Sequence, residues 1–288
     1  MKYITLSDLS KTIRNNIWKI PRDIDYIIGV PRSGTLCASI IASYLNVPLI
    51  DIDSFLSGLK PSGGLRLRYY NKLHKPTNKA LVIDDTVSSG RAMRETKNKL
   101  SGLYNIQFVY MCVYLEGYGA DAVDLYLEDV RKYTENFTSD VLYEWNIFHH
   151  NEVLMNKCLY DIDGVLCVEP PDERDEKKYI EYIKNATPLF IPTPKLGGII
   201  TYRLIKNKEI TQKWLAENGI TYNNIIMFNA NSWEERNRSG ISPGEFKGDY
   251  YKNNDYKLFV ESSEHQAKII LEIANKPVYC VETNKIYQ

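Results

Sequence analysis

Two aspartates in the first half of the chain stand where a ligand site is expected. Leu81, Val82 and Ile83 precede Asp84 and Asp85, which places both carboxylates at the carboxyl end of a predicted strand, where open α/β sheets bind ligands. The next residues are predicted to open a helix whose N–H groups, hydroxyls and positive end suit a phosphate monoester: Thr86, Val87, Ser88, Ser89 and Gly90. The same residues also fit a strand that merely ends in turn and N-cap residues.

A glycine-containing segment follows an earlier predicted strand over residues 26–30. Its glycines permit close backbone approach and its arginine can neutralise a pyrophosphate group; it comprises Gly29, Val30, Pro31, Arg32, Ser33 and Gly34. In this order, the two segments resemble the pyrophosphate loop and the phosphoribosyl pyrophosphate (PRPP) signature of the type I phosphoribosyltransferases. Ser89 stands where that family usually has threonine, and it keeps the hydroxyl.

The resemblance implies that PRPP binds with Mg²⁺, its ribose on Asp84 and Asp85 and its 5-phosphate on the turn that ends at Gly90. It also implies a loop that closes over PRPP. Residues 53–79 match that loop in position, and they offer several cations for pyrophosphate: Arg66, Arg68, Lys72 and Lys75. Residues 141–146 either cover the acceptor site or cap the sheet, and the sequence does not separate these readings.

The second half carries a different acidic motif, in which Asp161 and Asp163 follow a short apolar strand and Gly164 allows a sharp turn. A calcium loop is disfavoured because the further oxygen ligands and terminal glutamate are absent. The motif resembles the first motif of the haloacid-dehalogenase (HAD) phosphatases, which implies that Asp161 attacks phosphorus and Asp163 acts as general acid and base.

The other HAD motifs can be placed in order, and they complete the predicted catalytic set with Thr201 at a strand end and Lys247 as the cation. Glu261 ends a further strand, so the resemblance implies a metal site for Mg²⁺ made by Asp161, Asp163 and Glu261. This departs from the family pattern, which has an aspartate at the last position, and Glu264 or a water would support the ion. Lys252 is a rival to Lys247, and a helix over residues 177–185 predicts a small cap.

Apolar segments alternate with helical patterns along the whole chain, which is typical of α/β units around parallel sheets. Strands are predicted at 26–30, 80–83, 107–115, 158–161, 198–201, 224–228, 256–260 and 277–281, and helices at 36–45 and 91–103. At 288 residues two domains are expected. We therefore predict an α/β protein with two mainly parallel sheets flanked by helices: a phosphoribosyltransferase-like domain at 1–153 and a HAD-like Rossmannoid domain at 154–288.

Composition limits the partners of the chain. Its 36 basic and 36 acidic residues cancel, so no net field favours nucleic acid. An uninterrupted apolar stretch of roughly 18 residues is missing, which argues against membrane insertion. The five cysteines form no close pairs and are expected to be buried thiols in a reducing compartment. We therefore expect a cytoplasmic protein whose partners are PRPP and an acceptor, and a homo-oligomer is compatible with the sequence. No catalytic role is assigned to Arg203, Trp214 or His265.

Transfer from PRPP leaves a product that keeps its 5-phosphate, and a phosphatase could remove that group. The leading hypothesis is transfer of ribose 5-phosphate to a saccharide hydroxyl in surface-polysaccharide assembly, followed by dephosphorylation to ribofuranose. One alternative uses the same two steps on a nucleobase-like acceptor to give a nucleoside-like metabolite. The other is a regulator that senses PRPP without turnover.

Overall fold

The computed structural model describes residues 1–68, 75–133, 141–171 and 174–288. It divides the chain into two compact units, Lys2–Trp145 and Asn146–Gln288, the latter together with Met1. We call them the first unit and the second unit. In the sequence, the division between them falls eight residues before the one predicted after residue 153. The assignment of separate functional domains stays a prediction.

The first unit contains a five-stranded parallel sheet and a separate pair of parallel strands. Its strands are β1 Lys2–Ile4, β2 Tyr26–Gly29, β3 Leu49–Asp51, β4 Lys79–Val87, β5 Gln107–Leu115, β6 Leu125–Asp129 and β7 Val141–Tyr143. Its described α-helices are α1 Leu6–Asn16, α2 Ser33–Leu45, α3 Ile52–Leu56 and α4 Arg91–Leu100. The order of the large sheet is β3-β2-β4-β5-β6, and it reverses between β2 and β4. Ligands bind at such a reversal, beyond the carboxyl ends of the strands.

The sheet of the first unit is buried on both faces, as its continuous apolar strands predict. One face contributes Ile27, Leu81 and Ile83 to a core with helices α1 and α2. The other contributes Ile28 and Val82 to a core with α4. Polar groups on these strands can therefore reach solvent only near the strand ends.

One boundary in the first unit corrects the sequence analysis. Strand β4 was predicted to stop before the two aspartates, but it pairs with β5 as far as Val87 opposite Leu115. Asp84 and Asp85 therefore lie inside the strand, and the turn between β4 and α4 is reduced to Ser88, Ser89 and Gly90. Backbone pairing with the long neighbouring strand overrides the local preference of aspartate for turns.

Strand β7 does not join the large sheet. It pairs in parallel with β1 at the start of the chain, with Tyr3 opposite Leu142. The backbone N–H of Leu6 donates to Oε2 of Glu144 at 2.7 Å, which holds the residues after β7 against the start of α1. Helix α1 itself begins with a capping box formed by Thr5 and Asp8. The beginning and the end of the first unit are thus tied together.

The second unit has a six-stranded sheet of order β10-β9-β8-β11-β12-β13, parallel except for β13. Its strands are β8 Cys158–Tyr160, β9 Gly198–Leu204, β10 Ile225–Phe228, β11 Leu258–Glu261, β12 Val278–Cys280 and β13 Lys285–Tyr287. Its described α-helices are α5 Glu152–Met155, α6 Glu176–Asn185, α7 Lys208–Glu217, α8 Trp233–Arg238, α9 Pro243–Lys252 and α10 Glu264–Ala274. The strand order reverses between β8 and β11, which predicts a ligand crevice there.

Two further expectations can be compared with the described residues. All five cysteines are buried and unpaired, as predicted. In the described part of the chain, no helix combines the length and the apolar character needed to span a bilayer. The α/β class with mainly parallel sheets is also confirmed.

Candidate functional site

The first candidate site lies where β2 and β4 end side by side. The N–H of Val30 donates to the carbonyl of Ile83 at 2.9 Å, so the predicted pyrophosphate loop starts against β4. A Cβ on Gly34 would lie 2.5 Å from the carbonyl oxygen of Ile83 and 3.1 Å from Oδ1 of Asp84. Only glycine permits this approach without a shift of the backbone. The structure therefore brings the two predicted phosphate-binding segments into contact.

Asp84 and Asp85 are both buried at this edge, at 9% and 5% exposure. Oδ1 of Asp84 accepts the N–H of Asp85 at 2.9 Å. Burial and the neighbouring charge of Asp85 raise the pKa of Asp84 well above its ordinary value. Among the described residues, no Lys or Arg forms an ion pair with either carboxylate. The pair is therefore an uncompensated acidic site.

The turn after β4 presents free backbone donors. Gly90 has a φ of +78°, a left-handed conformation that favours glycine, and it precedes α4. Within the described hydrogen bonds, the N–H groups of Ser88, Ser89 and Gly90 donate to no acceptor. Oγ of Ser89 accepts the N–H of Arg91 at 3.3 Å. Unpaired amides at a helix N-terminus favour an anion, because they add to the positive end of the helix dipole.

The remaining residues of the predicted PRPP site line the same region. Thr86 and Val87 complete β4, while Pro31, Arg32 and Ser33 connect β2 to α2. The Arg32 side chain is exposed, and the peptide bond between Pro31 and Arg32 is cis. Of the cations proposed for the loop, Lys75 is exposed. Lys72 and the side chains of Arg66 and Arg68 lie outside the described part of the structure.

Trp145 contacts the first site, and the sequence analysis did not single it out. Its Nε1–H donates to Oδ2 of Asp85 at 2.6 Å, across 60 positions of sequence. Its ring stacks with Tyr114 at 6.5 Å between centroids and lies 5.1 Å from the Tyr143 ring. Of the two readings left open for residues 141–146, packing against the sheet is observed, because Val141 and Tyr143 share a buried core with Ile27, Leu81 and Ile83. Cover of the acceptor site stays a prediction. The only available signal was an aromatic residue within the segment at 141–146.

The second candidate site centres on Lys247, which is buried on helix α9. Its ammonium donates to Oδ2 of Asp161 at 2.6 Å, to Oε2 of Glu261 at 2.8 Å and to Oε1 of Gln266 at 2.8 Å. Burial raises the pKa of Asp161 to about 8, against the opposing effect of Lys247. The two carboxylates raise the pKa of Lys247 despite its burial, so the ammonium stays charged. Lys252, the rival candidate, is exposed at the end of the same helix.

Asp163 faces a different cation. Arg203, which is 1% exposed, donates from Nε to both carboxylate oxygens at 3.1 and 3.2 Å, and from Nη2 to Oδ1. The hydroxyl of Tyr182, on α6, lies 2.8 Å from Oδ1. Burial alone would raise the pKa of Asp163, but Arg203 and Tyr182 hold it below its ordinary value. The sequence analysis assigned no catalytic role to Arg203, and the structure shows that its charge pairs with Asp163 inside the site.

The other predicted residues are placed less directly. Thr201 is fully buried within β9, which continues to Leu204, so it does not end the strand as predicted. Its Oγ1 accepts the N–H of Arg203 at 3.3 Å. Glu264 pairs with Lys268 and Tyr287 rather than with Glu261. Glu169, which was not predicted, lies beside Gly164 and Ser262, and burial raises its pKa.

The two sites differ in their fit to Mg²⁺. The uncompensated carboxylates Asp84 and Asp85 fit a divalent cation bound with a pyrophosphate group. In the described residues, no group of three or more His, Cys, Asp or Glu side chains is arranged to hold a metal. The three carboxylates predicted as one ligand set are instead divided, because Asp161 and Glu261 share Lys247 whereas Asp163 binds Arg203. The predicted three-carboxylate metal site therefore does not fit the second unit.

Comparisons with known proteins concern the first half of the chain. The family model described as the phosphoribosyl transferase domain matches residues 3–145. No curated protein matches the chain. Similar solved structures include an orotate phosphoribosyltransferase from Aeropyrum pernix (17% identity, TM-score 0.32, covering 44% of this chain and 71% of that one). A second is a xanthine-guanine-hypoxanthine phosphoribosyltransferase from Helicobacter pylori (14% identity, TM-score 0.36, covering 51% of this chain and 93% of that one). A third is a purine phosphoribosyltransferase from Pyrococcus horikoshii (18% identity, TM-score 0.35, covering 50% of this chain and 92% of that one).

Proposed function

We propose, on the premise that residues 3–145 are a phosphoribosyl transferase domain, that the chain transfers ribose 5-phosphate from PRPP to an acceptor and then removes the 5-phosphate. The observation that carries the first step is the pair of uncompensated carboxylates beside three free backbone amides. The second step is supported by Asp161 and Lys247 at the reversal of strand order in the second unit.

Transfer breaks the bond between the ribose anomeric carbon and pyrophosphate and forms a bond from that carbon to an oxygen or nitrogen of the acceptor, whose proton passes to the departing pyrophosphate or to solvent. The transition state resembles an oxocarbenium ion, so catalysis depends on positioning and on neutralising the leaving group. The carboxylates of Asp84 and Asp85 accept hydrogen bonds from the ribose hydroxyls. The turn at Ser88, Ser89 and Gly90 binds the 5-phosphate. Arg32, in the loop from Gly29 to Gly34, neutralises pyrophosphate as its charge develops. Mg²⁺ held beside Asp84 and Asp85 would add positive charge to the same leaving group.

In the second step, the ionised carboxylate of Asp161 attacks phosphorus, Asp163 gives a proton to the ribose oxygen as it leaves, and an aspartyl phosphate forms. Lys247 neutralises the charge that builds around Asp161. Asp163 takes a proton from the water that cleaves the aspartyl phosphate, which yields inorganic phosphate and free Asp161. The lowered pKa of Asp163 keeps its carboxylate ionised near neutral pH, as the base half of this cycle requires, but it also makes the group a weaker base and disfavours the acid half.

Removal of the 5-phosphate argues against nucleotide salvage, which keeps that group. The proposed acceptor is a saccharide hydroxyl of a growing surface polysaccharide, and the product is a ribofuranosyl unit. A nucleobase-like acceptor would undergo the same two steps. A saccharide acceptor is favoured because unphosphorylated ribofuranose is a structural unit of polymers, whereas a salvaged base is used as its nucleotide, which keeps the phosphate.

The test incubates the full chain with PRPP, Mg²⁺ and panels of saccharide and base acceptors, and it follows products by mass spectrometry. Asp161→Asn should accumulate the 5-phosphorylated product, whereas Asp84→Ala with Asp85→Ala should abolish transfer and leave phosphatase activity. Asp255→Asn, at an exposed aspartate, is the matched control and should behave as wild type. Phosphate release is measured with and without Mg²⁺.

Each outcome separates the hypotheses. An unchanged product mixture from Asp161→Asn would contradict the two-step scheme. Products formed only with bases would replace the saccharide acceptor by the nucleobase-like one. PRPP binding without pyrophosphate release for any acceptor would favour the PRPP-sensing regulator.

A further inference from the structure

We propose that Trp145 is a positioning residue for the transfer step, and that its indole N–H fixes the carboxylate of Asp85 so that Oδ1 faces the ribose of PRPP. The proposal rests on the proposed function of the first unit. It adds a residue outside both predicted PRPP segments to the machinery of that site. Its basis is the 2.6 Å contact between Nε1 of Trp145 and Oδ2 of Asp85.

The contact determines which oxygen of Asp85 is available. A carboxylate turns freely about its last side-chain torsion, whose preferences are broad. An indole N–H is a donor and never an acceptor, so it engages one oxygen and leaves the other. At Asp84, the N–H of Asp85 does the same for Oδ1. Each buried aspartate therefore keeps one oxygen for ligand, which matches two neighbouring ribose hydroxyls that both donate.

The position of Trp145 is itself fixed by the fold. Its ring packs with Tyr114 and Tyr143, which are 1% and 2% exposed. The preceding residue, Glu144, binds the backbone of Leu6, and β7 pairs with β1. The indole thus reaches Asp85 from a rigid aromatic cluster rather than from a free loop. Such support from packing is what holds catalytic groups in a defined geometry.

The hydrogen bond from Trp145 also stabilises the Asp85 carboxylate, which has no cation beside it among the described residues. Within the described residues, Asp85 has no ion-pair partner, and a donor to a buried carboxylate is worth more than a neutral hydrogen bond. Removal of the N–H should leave the carboxylate free to turn into contact with the neighbouring carboxyl group of Asp84, whose pKa it already raises. PRPP would then have to displace that contact before it binds. The expected result is weaker binding of PRPP by about 10- to 100-fold.

The experiment uses the full chain and two ligands in the presence of Mg²⁺. Trp145→Phe keeps an aromatic ring but loses the N–H, and Trp18→Phe, at a tryptophan that is 73% exposed, is the matched control. PRPP binding is measured by calorimetry, and inorganic phosphate by competition with PRPP, because phosphate needs only the turn at 88–90. Trp145→Phe should raise the Kd of PRPP about 10- to 100-fold and leave that of phosphate within about twofold. Trp18→Phe should change neither.

A second measurement keeps the test valid if Trp145→Phe does not fold. The wild-type chain has four tryptophans, whose indole N–H signals can be resolved by nuclear magnetic resonance and assigned by substitution. PRPP should shift the Trp145 signal and leave the Trp18 signal in place. Equal PRPP binding by the two variants, a proportional loss of both ligands, or an unmoved Trp145 signal would overturn the proposal. Failure of wild type to bind PRPP would instead overturn the proposed function.

Discussion

The two acidic sites of this chain have opposite charge balance. In the first unit, Asp84 and Asp85 are buried side by side, and among the described residues only neutral donors contact them. In the second unit, Lys247 pairs with Asp161 and Glu261, and Arg203 pairs with Asp163. Both sites lie where the strand order of a parallel sheet reverses. The difference is therefore one of charge and not of position in the fold.

This difference indicates how each site meets its ligand. A buried pair of like charges is held at a cost to stability, and a ligand that brings positive charge or donates hydroxyls relieves it. A site whose carboxylates are already paired keeps its geometry without ligand, because buried ion pairs with additional hydrogen bonds restrict the side chains. The first site should thus gain stability when it binds, whereas the second should be stable when empty and sensitive to loss of either cation.

The largest expected effect is at Arg203. Arg203→Met should destabilise the second unit by about 3–5 kcal/mol, because it leaves the carboxylate of Asp163 buried without its cation. Hydrogen exchange measured by mass spectrometry on the full chain reports each unit separately. Protection should fall in β9 and β11, while that of β4 and β5 should be unchanged.

Two variants control this prediction. Arg131→Met removes a similar arginine that pairs with Asp129 at the surface, and it should cost far less because exposed pairs contribute little. Arg203→Met combined with Asp163→Asn removes both charges and should recover part of the lost protection. If Arg203→Met and Arg131→Met lose the same protection, the second site is not held together by its internal charge pairs.

At the first site, a substitution is expected to raise stability and not to lower it. Asp84→Asn should stabilise the first unit by about 1 kcal/mol near neutral pH, since it removes a buried carboxyl group that must either take up a proton or carry a charge beside Asp85. The pKa of Asp84 is raised in the folded chain, so folded protein holds a proton that unfolded protein has lost above about pH 3.8. Wild-type stability therefore falls as pH rises from that value toward the raised pKa.

The measurement is hydrogen exchange of β4 at pH 5 and pH 8 with EDTA present, corrected for the pH dependence of intrinsic exchange. Wild type should lose stability between these values, whereas Asp84→Asn should lose less. Asp255→Asn, at a surface position, is the control. A loss of protection in Asp84→Asn at pH 8 would show that the aspartate pair is stabilising, and the contrast between the two sites would disappear.

Local sequence patterns located the elements of both sites but not the contacts between them. Strand β5 was predicted at its observed limits, Gln107–Leu115, because it is a continuous apolar segment rich in β-branched and aromatic residues. Lys247 was preferred to Lys252 as the cation, and it is the one that contacts Asp161 and Glu261, whereas Lys252 is exposed. Strand ends were less accurate, since β4 and β9 both continue where pairing with a neighbour overrides local preference.

Trp145 and Arg203 show why part of each site was missed. Trp145 reaches Asp85 across 60 positions and Arg203 reaches Asp163 across 40. No spacing rule connects residues so far apart, and a single tryptophan or arginine is more often a packing or surface residue. Both contacts depend on strand order, which follows from packing of the whole sheet. Motifs therefore identified the carboxylates, while their partners became evident only in three dimensions.

The smallest expected effect is at Tyr182, which tests whether helix α6 contributes to the charge balance of the second site. Tyr182→Phe removes the hydroxyl that lies 2.8 Å from Oδ1 of Asp163 and keeps the ring, so it should cost about 1 kcal/mol at pH 7. The lowered pKa of Asp163 adds stability above its ordinary value of 3.8, and this stability is lost as pH falls through the folded value. The difference in unfolding free energy between wild type and Tyr182→Phe should therefore shrink in acid.

Urea unfolding at pH 7 and pH 3 measures this difference, with Tyr104→Phe at a 93% exposed tyrosine as control. Equal unfolding of both variants at pH 7 would leave Arg203 alone in holding Asp163.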